Sequence, residues 1–186
     1  TLQELVAMAK AKPGQITFGT AGNGTGGHLA GELLKILAGI DLTHIPYKGS
    51  APALVDVISG QVPLLWVSIP AAAQFVKTGK LKALGVTSAV RSGVVPGVPT
   101  ISETGLAGYQ VLAWNGVLAP IGTPDAVVAT LNEHIRRAMQ LPQVKEQFAA
   151  QGFQAASNTP EQFRSFLQKE VEQWARTVKT SGATID

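Results

Sequence analysis

Cysteine is absent from this sequence. That excludes disulfide scaffolds, cysteine-held zinc and thiol nucleophiles together, and it fits the cytosol and an oxidising periplasm equally. Charge is scarce: 15% of residues are charged, where about 25% is ordinary for a globular chain. No block of five like charges occurs, and Lys+Arg 15 against Asp+Glu 12 leaves only +3. A nucleic-acid stripe has no support in that balance, whereas a preference for small anions fits it. No apolar run approaches the ~18 residues of a membrane helix. Equally, 45% hydrophobic residues are too many for a disordered chain.

Glycine and proline are plentiful, with Gly 20 and Pro 11 punctuating many short elements. Thr1 and Glu4 form a capping box for a first helix that ends by Pro13-Gly14. Ile16-Thr17-Phe18 reads as a strand, followed by a glycine-rich loop and a helix with apolar Leu29, Leu33, Ile36 and Leu37, closed by Gly39. Leu42 to Ile45 reads as the next strand and Ala51 to Ile58 as the next helix. Val62 to Val67 reads as a strand buried on both faces. A helix over Ala71 to Val76 then leads to a strand over Leu81 to Val86. Alternation of this kind implies right-handed βαβ units and a mostly parallel sheet. Thr100 with Glu103 makes another capping box, and Thr159-Pro160-Glu161-Gln162 caps a last helix. Two apolar stripes mark the C-terminal part: Val127, Val128, Leu131, Ile135 and Met139, then Phe163, Phe166, Leu167, Val171, Trp174 and Val178.

The strongest local feature is the strand–loop–helix passage from Ile16 to Leu29, with four glycines between Gly22 and Gly27. Such a loop offers backbone N–H groups at a helix N-terminus, where the dipole favours an anion. Asn23 and Thr25 add polar groups. Gly22-x-Gly24-x-x-Gly27 matches the dinucleotide fingerprint in form, but the acid it needs belongs at the end of the next strand. Asp41 stands at that strand's start. A phosphate-binding P-loop fails as well, because Thr25 and Gly26 follow Gly24 where Lys and Ser or Thr belong. A carboxylate is the anion that remains.

His28 falls in the first turn of the helix, on the polar stripe with Glu32 and Lys35. It is placed to donate to an anion or to position the loop, and a solvated helix histidine is the plainer reading. His28 with Glu32 makes only two ligands, too few for a metal site. His44 and His134 read as structural, and Trp66 as core. Tyr47, Lys48, Gly49 and Ser68 follow strands and so reach the edge where ligands of parallel sheets bind. No nucleophile elbow, zinc-protease motif or close carboxylate pair occurs. No catalytic residue, metal or cofactor is assigned.

Several motifs in order carry a resemblance. Gly22-Asn23-Gly24-Thr25 with His28-Leu29-Ala30-Gly31-Glu32, His44-Ile45-Pro46-Tyr47-Lys48-Gly49-Ser50-Ala51-Pro52-Ala53, Gly79-Lys80-Leu81-Lys82-Ala83-Leu84, Val98-Pro99-Thr100 and Leu118-Ala119-Pro120-x-Gly122-Thr123-Pro124 span nearly the whole chain. The sequence resembles the Bug-type solute-binding receptors of tripartite tricarboxylate transporters. That resemblance implies a periplasmic, non-enzymatic receptor that closes on a small carboxylate and delivers it to membrane permease subunits. The implied fold is α/β, a type II periplasmic-binding-protein-like lobe with a mostly parallel sheet, plus a C-terminal helical segment of a second lobe. The expected division is a ligand-binding lobe over 1–110, an interlobe crossing over 111–124 and the helical part over 125–186. By the same analogy the ligand set is Thr20, Ala21, Gly22, Asn23, Gly24 and Thr25, flanked by His28, Tyr47 and Ser68. Many relatives have Asp or Asn where this sequence has Val67 and Ser68, which points to a plain mono- or dicarboxylate.

The family's N-terminal lobe would precede Thr1. The expectation is therefore a processed chain or a piece of a longer one, with carboxylate binding of its own that is weak or absent, and self-association through the C-terminal helices. The competing class is a nucleotide-dependent oxidoreductase on the same βαβ start. The misplaced Asp41 disfavours it, and titration with NAD or NADP discriminates the two.

Overall fold

A computed structural model describes residues 1–150, 152–181 and 183. They group into two compact units, Thr1–Ala113 with the segment from Trp174 onward, and Trp114–Gln173.

In the first unit the capping box at Thr1 and Glu4 starts helix α1 (Leu2–Ala11). Strand β1 (Thr17–Thr20) follows, then α2 (Gly26–Ala38), β2 (Thr43–Pro46), α3 (Ser50–Ile58), β3 (Leu64–Leu65) and α4 (Ile69–Lys77). Gly39 closes α2 in the left-handed conformation that its lack of a Cβ makes cheap. The sheet is parallel, with order β2-β1-β3. Its core joins Leu2, Leu5 and Ala9 of α1 to Phe18, Leu34 and Leu42, with Trp66 and Trp174 packed against it. Tyr109 is buried in the same core and donates its hydroxyl to the Ala30 carbonyl at 2.9 Å.

Two strand expectations need correction. The run Val62–Val67 gives only two strand residues, and Leu64 to Val67 are half-buried, not enclosed on both faces. Leu81–Val86 forms no strand: Val86 makes a single bridge to Thr100, giving its carbonyl to the Ile101 amide. A strand needs a neighbour with free backbone groups along its length, and β3 is too short to supply one. The capping box at Thr100 and Glu103 is present, over a 3-10 turn at Ser102–Thr104.

The second unit holds α5 (Asp125–Gln140), α6 (Pro142–Ala150) and the first part of α7 (Pro160–Ser181). Thr159 and Gln162 cap α7 reciprocally. Trp114 stands edge-on to Phe163 and Phe166, at 5.8 and 5.2 Å, and its indole N–H donates to Glu170. No described residue of 111–124 belongs to a helix or strand. From Trp174 the end of α7 belongs with the first unit, where Thr177 is buried. Among the described residues no helix is long and apolar enough to cross a membrane.

Candidate functional site

Side chains alternate across a strand, so Phe18 and Thr20 share one face of β1. The parallel register sets His44 beside Phe18, on that same face. Helix α2 covers it, and Gly31 lets the helix come close: a Cβ there would lie 2.5 Å from the Phe18 ring. One turn earlier the close approach lays His28 flat on His44, with ring centroids 3.9 Å apart and planes 11° from parallel. His28 is 5% exposed and Glu32 4%. The expected solvated stripe of His28, Glu32 and Lys35 is thus corrected at its first two members. Helical spacing alone set them on the polar side, but that side faces a strand carrying its own imidazole. Their burial is compensated: Lys35 donates to Glu32 at 3.1 Å, and His28 Nε2 lies 3.9 Å from the same carboxylate oxygen.

The loop between β1 and α2 is held from inside. Gly22 and Gly24 both have positive φ, +137° and +68°, a region that L side chains rarely enter. The Gly22 amide donates to Thr20 Oγ1 at 3.2 Å, and that hydroxyl meets His44 Nε2 at 2.6 Å. The Gly24 amide donates to His28 Nδ1 at 3.1 Å. Thr25 caps α2, accepting from the His28 amide and donating its hydroxyl to the Gly22 carbonyl at 2.7 Å. The Gly26 and Gly27 amides of the first turn have no intrahelical acceptor, as at any helix start. Gly27 is pressed against the Trp66 carbonyl, 3.1 Å from where its Cβ would be.

Burial holds both imidazoles below their usual range. For His28 the nearby Glu32 opposes that shift and Lys35 adds to it. His44 is lowered to about 4, by burial first and then by His28 and Lys35. Tyr47 packs its ring over Gly19 and donates its hydroxyl to Asp56 at 2.7 Å, a bond that raises its pKa.

The loops after the three strands lie at one sheet edge. The Tyr47 amide donates to the Thr20 carbonyl, the Gly49 amide to Ala21 and the Trp66 amide to Gly19. Because β1 is central, the chain turns to β2 on one side and to β3 on the other. The sheet edge outside β1 and β3 is therefore the topological switch point, where open α/β sheets take ligands. Thr20 to Thr25 and His28 lie at this edge, whereas Tyr47 follows β2 and lays its ring over Gly19, on the face of the sheet opposite Thr20. Thr20 is fully buried and lies behind the loop. Ser68 is exposed at the start of α4, after β3, with its carbonyl bonded to the Ala71 amide. Asp41 precedes β2, at the far end of the sheet from these loops. His134 is exposed on α5, which corrects its reading as a structural residue. Local pattern named His44 and Glu32 but did not foresee their contacts, and it passed over Asp56; for His44 the strand register is the signal that reveals its place beside Phe18. No group of three His, Asp or Glu placed for a metal exists among the described residues.

The family model of the tripartite tricarboxylate transporter family receptor, TctC, matches residues 1–183. Protein BugT of Bordetella pertussis is 38% identical over 185 residues, covering all of this chain and 57% of that protein. Among solved structures, an R. palustris protein with adipate is similar at TM-score 0.85 and 30% identity, covering 99% of this chain and 62% of its own. MatC from Rhodopseudomonas palustris with bound malate is similar at TM-score 0.74 and 32% identity, covering 95% and 61%. The chain thus spans little more than half the length of the curated relatives it matches first, 57% and 53%. It belongs to the tripartite tricarboxylate transporter receptor family.

Proposed function

We propose that this chain is the carboxylate-binding part of a periplasmic, non-enzymatic receptor that passes its ligand to the membrane permease subunits of a tripartite transporter. The observation that carries this reading is the glycine loop opening α2 at the switch point of a parallel sheet. The loop from Ala21 to Thr25 and the Gly26 and Gly27 amides meet one carboxylate, the Gly22 and Gly24 amides being spent on Thr20 and His28; Tyr47 and Ser68 flank it, and Thr20 and His28 act from behind. The adipate and malate in the relatives' structures support a dicarboxylate ligand. Asp41, at the wrong end of β2 for a ribose, counts against the oxidoreductase alternative.

Two-dimensional amide NMR of the chain with malate or adipate at millimolar concentration tests the reading and is sensitive to weak binding. Saturable shifts centred on Ala21 to Gly27 are expected. No such shifts, or tight stoichiometric binding of NAD or NADP, would overturn it.

Self-association through the C-terminal helices belongs to the same proposal. It is supported by apolar residues left open on α5 and α7, with Leu131 51% and Val171 67% exposed. A mass above the monomer by light scattering, reduced by Leu131→Glu, is the expected result. A monodisperse monomer would refute it.

A further inference from the structure

The carboxylate loop is gripped at two points, and each grip ends on an imidazole. His28 Nδ1 accepts the Gly24 N–H, and His44 Nε2 meets the Thr20 hydroxyl that in turn accepts the Gly22 N–H. Because His28 Nδ1 is an acceptor, its ring proton sits on Nε2, toward Glu32. The two rings are stacked face to face at 3.9 Å. From these contacts we propose that the His28–His44 stack is the positioning device of the carboxylate loop, and that protonation of His28 releases the loop at Gly24 and with it the ligand. This rests on the carboxylate reading above and adds a control to that same site.

The physical argument is one of donors and charge. A proton arriving at His28 Nδ1 confronts the Gly24 N–H with a second donor, so that bond is lost and the glycine turns away. A charge on either ring disfavours a charge on its stacked neighbour. The ionisable groups acting on the pair are Glu32 and Lys35, both on α2, with Asp41 bridged to Lys35 at 3.8 Å. From β1 come only the Phe18 ring, 4.9 Å from His44, and Thr20. Glu32 favours an imidazolium on His28, while burial and Lys35 oppose it. The loop is consequently held at neutral pH and freed in acid.

The test follows imidazole ring protons and the Gly22 and Gly24 amides by NMR as pH falls, in the ligand-free chain. Both rings are expected to titrate below the ordinary ~6.5, with the Gly24 amide moving at the His28 midpoint. In His28→Gln the side-chain oxygen still accepts from Gly24, so its amide keeps its neutral-pH position and stops following acid. In His28→Leu the acceptor is gone, the amide shifts already at neutral pH, and malate affinity falls about tenfold. Ring titration that leaves the Gly24 amide unmoved would overturn the proposal, as would a His28→Leu chain with an unshifted amide. Absence of malate binding by the unaltered chain would strike the functional reading instead, since the ring–amide coupling is read without ligand.

Discussion

The ring of Phe18 lies directly under Gly31, so near that a Cβ on the glycine would come within 2.5 Å of it. This contact sets the height of α2 above β1. It also brings His28 onto His44, because both pairs sit between the same helix and the same sheet face.

Gly31→Ala forces a methyl group into a fully buried ring. Overpacking of this kind costs about 1–3 kcal/mol, against about 1 kcal/mol gained in helix propensity. A net loss is expected, read as a fall of a few degrees in Tm by calorimetry. An unchanged or raised Tm would mean that α2 can lift off β1 freely.

Thr25→Ala removes both the cap on the His28 amide and the hydroxyl bond to the Gly22 carbonyl. The expected loss is about 1 kcal/mol in urea unfolding. Thr25→Ser keeps the oxygen and should recover most of it.

Stability should decline on mild acidification. Unfolded imidazoles take up protons near ~6.5, whereas folded His44 does so only near about 4. Between those values the unfolded chain binds more protons, so lower pH favours it. The contribution is fully present above the unfolded value and is lost as pH falls toward the folded one. His28, also lowered, acts in the same direction. Unfolding midpoints measured across this window should drop in the parent chain and drop less in His44→Phe. Glu103, held below the usual carboxylate range by the Thr100 amide and Arg91, adds a separate loss at lower pH.

Tyr109→Phe deletes the hydroxyl that donates to the Ala30 carbonyl inside the core. A loss of about 1 kcal/mol is expected. In the parent chain burial pushes this phenol up to about 12, and the bond to Asp56 raises Tyr47 as well. Absorbance titration of the folded chain should therefore place both phenol midpoints above the ordinary value near ~10, Tyr109 last.

The local grammar of this protein was legible without its fold. The capping boxes at Thr1, Thr100 and Thr159, the left-handed stop at Gly39 and the strand–glycine loop–helix passage each depend on residues a few positions apart. The order of motifs was likewise enough to identify the family. Long-range pairing was not legible. Leu81–Val86 has the residues of a strand but lacks a neighbour to pair with, and Val62–Val67 pairs over only two residues. His28 and Glu32 read as solvated because helix periodicity describes one helix and is blind to what covers it. Only the β1–β2 register, which sets His44 beside Phe18, and the Gly31 contact, which lowers α2 onto them, turn that polar stripe into a buried network. A polar face can be buried when its hydrogen bonds are met there, and whether they are met is decided by residues distant in sequence.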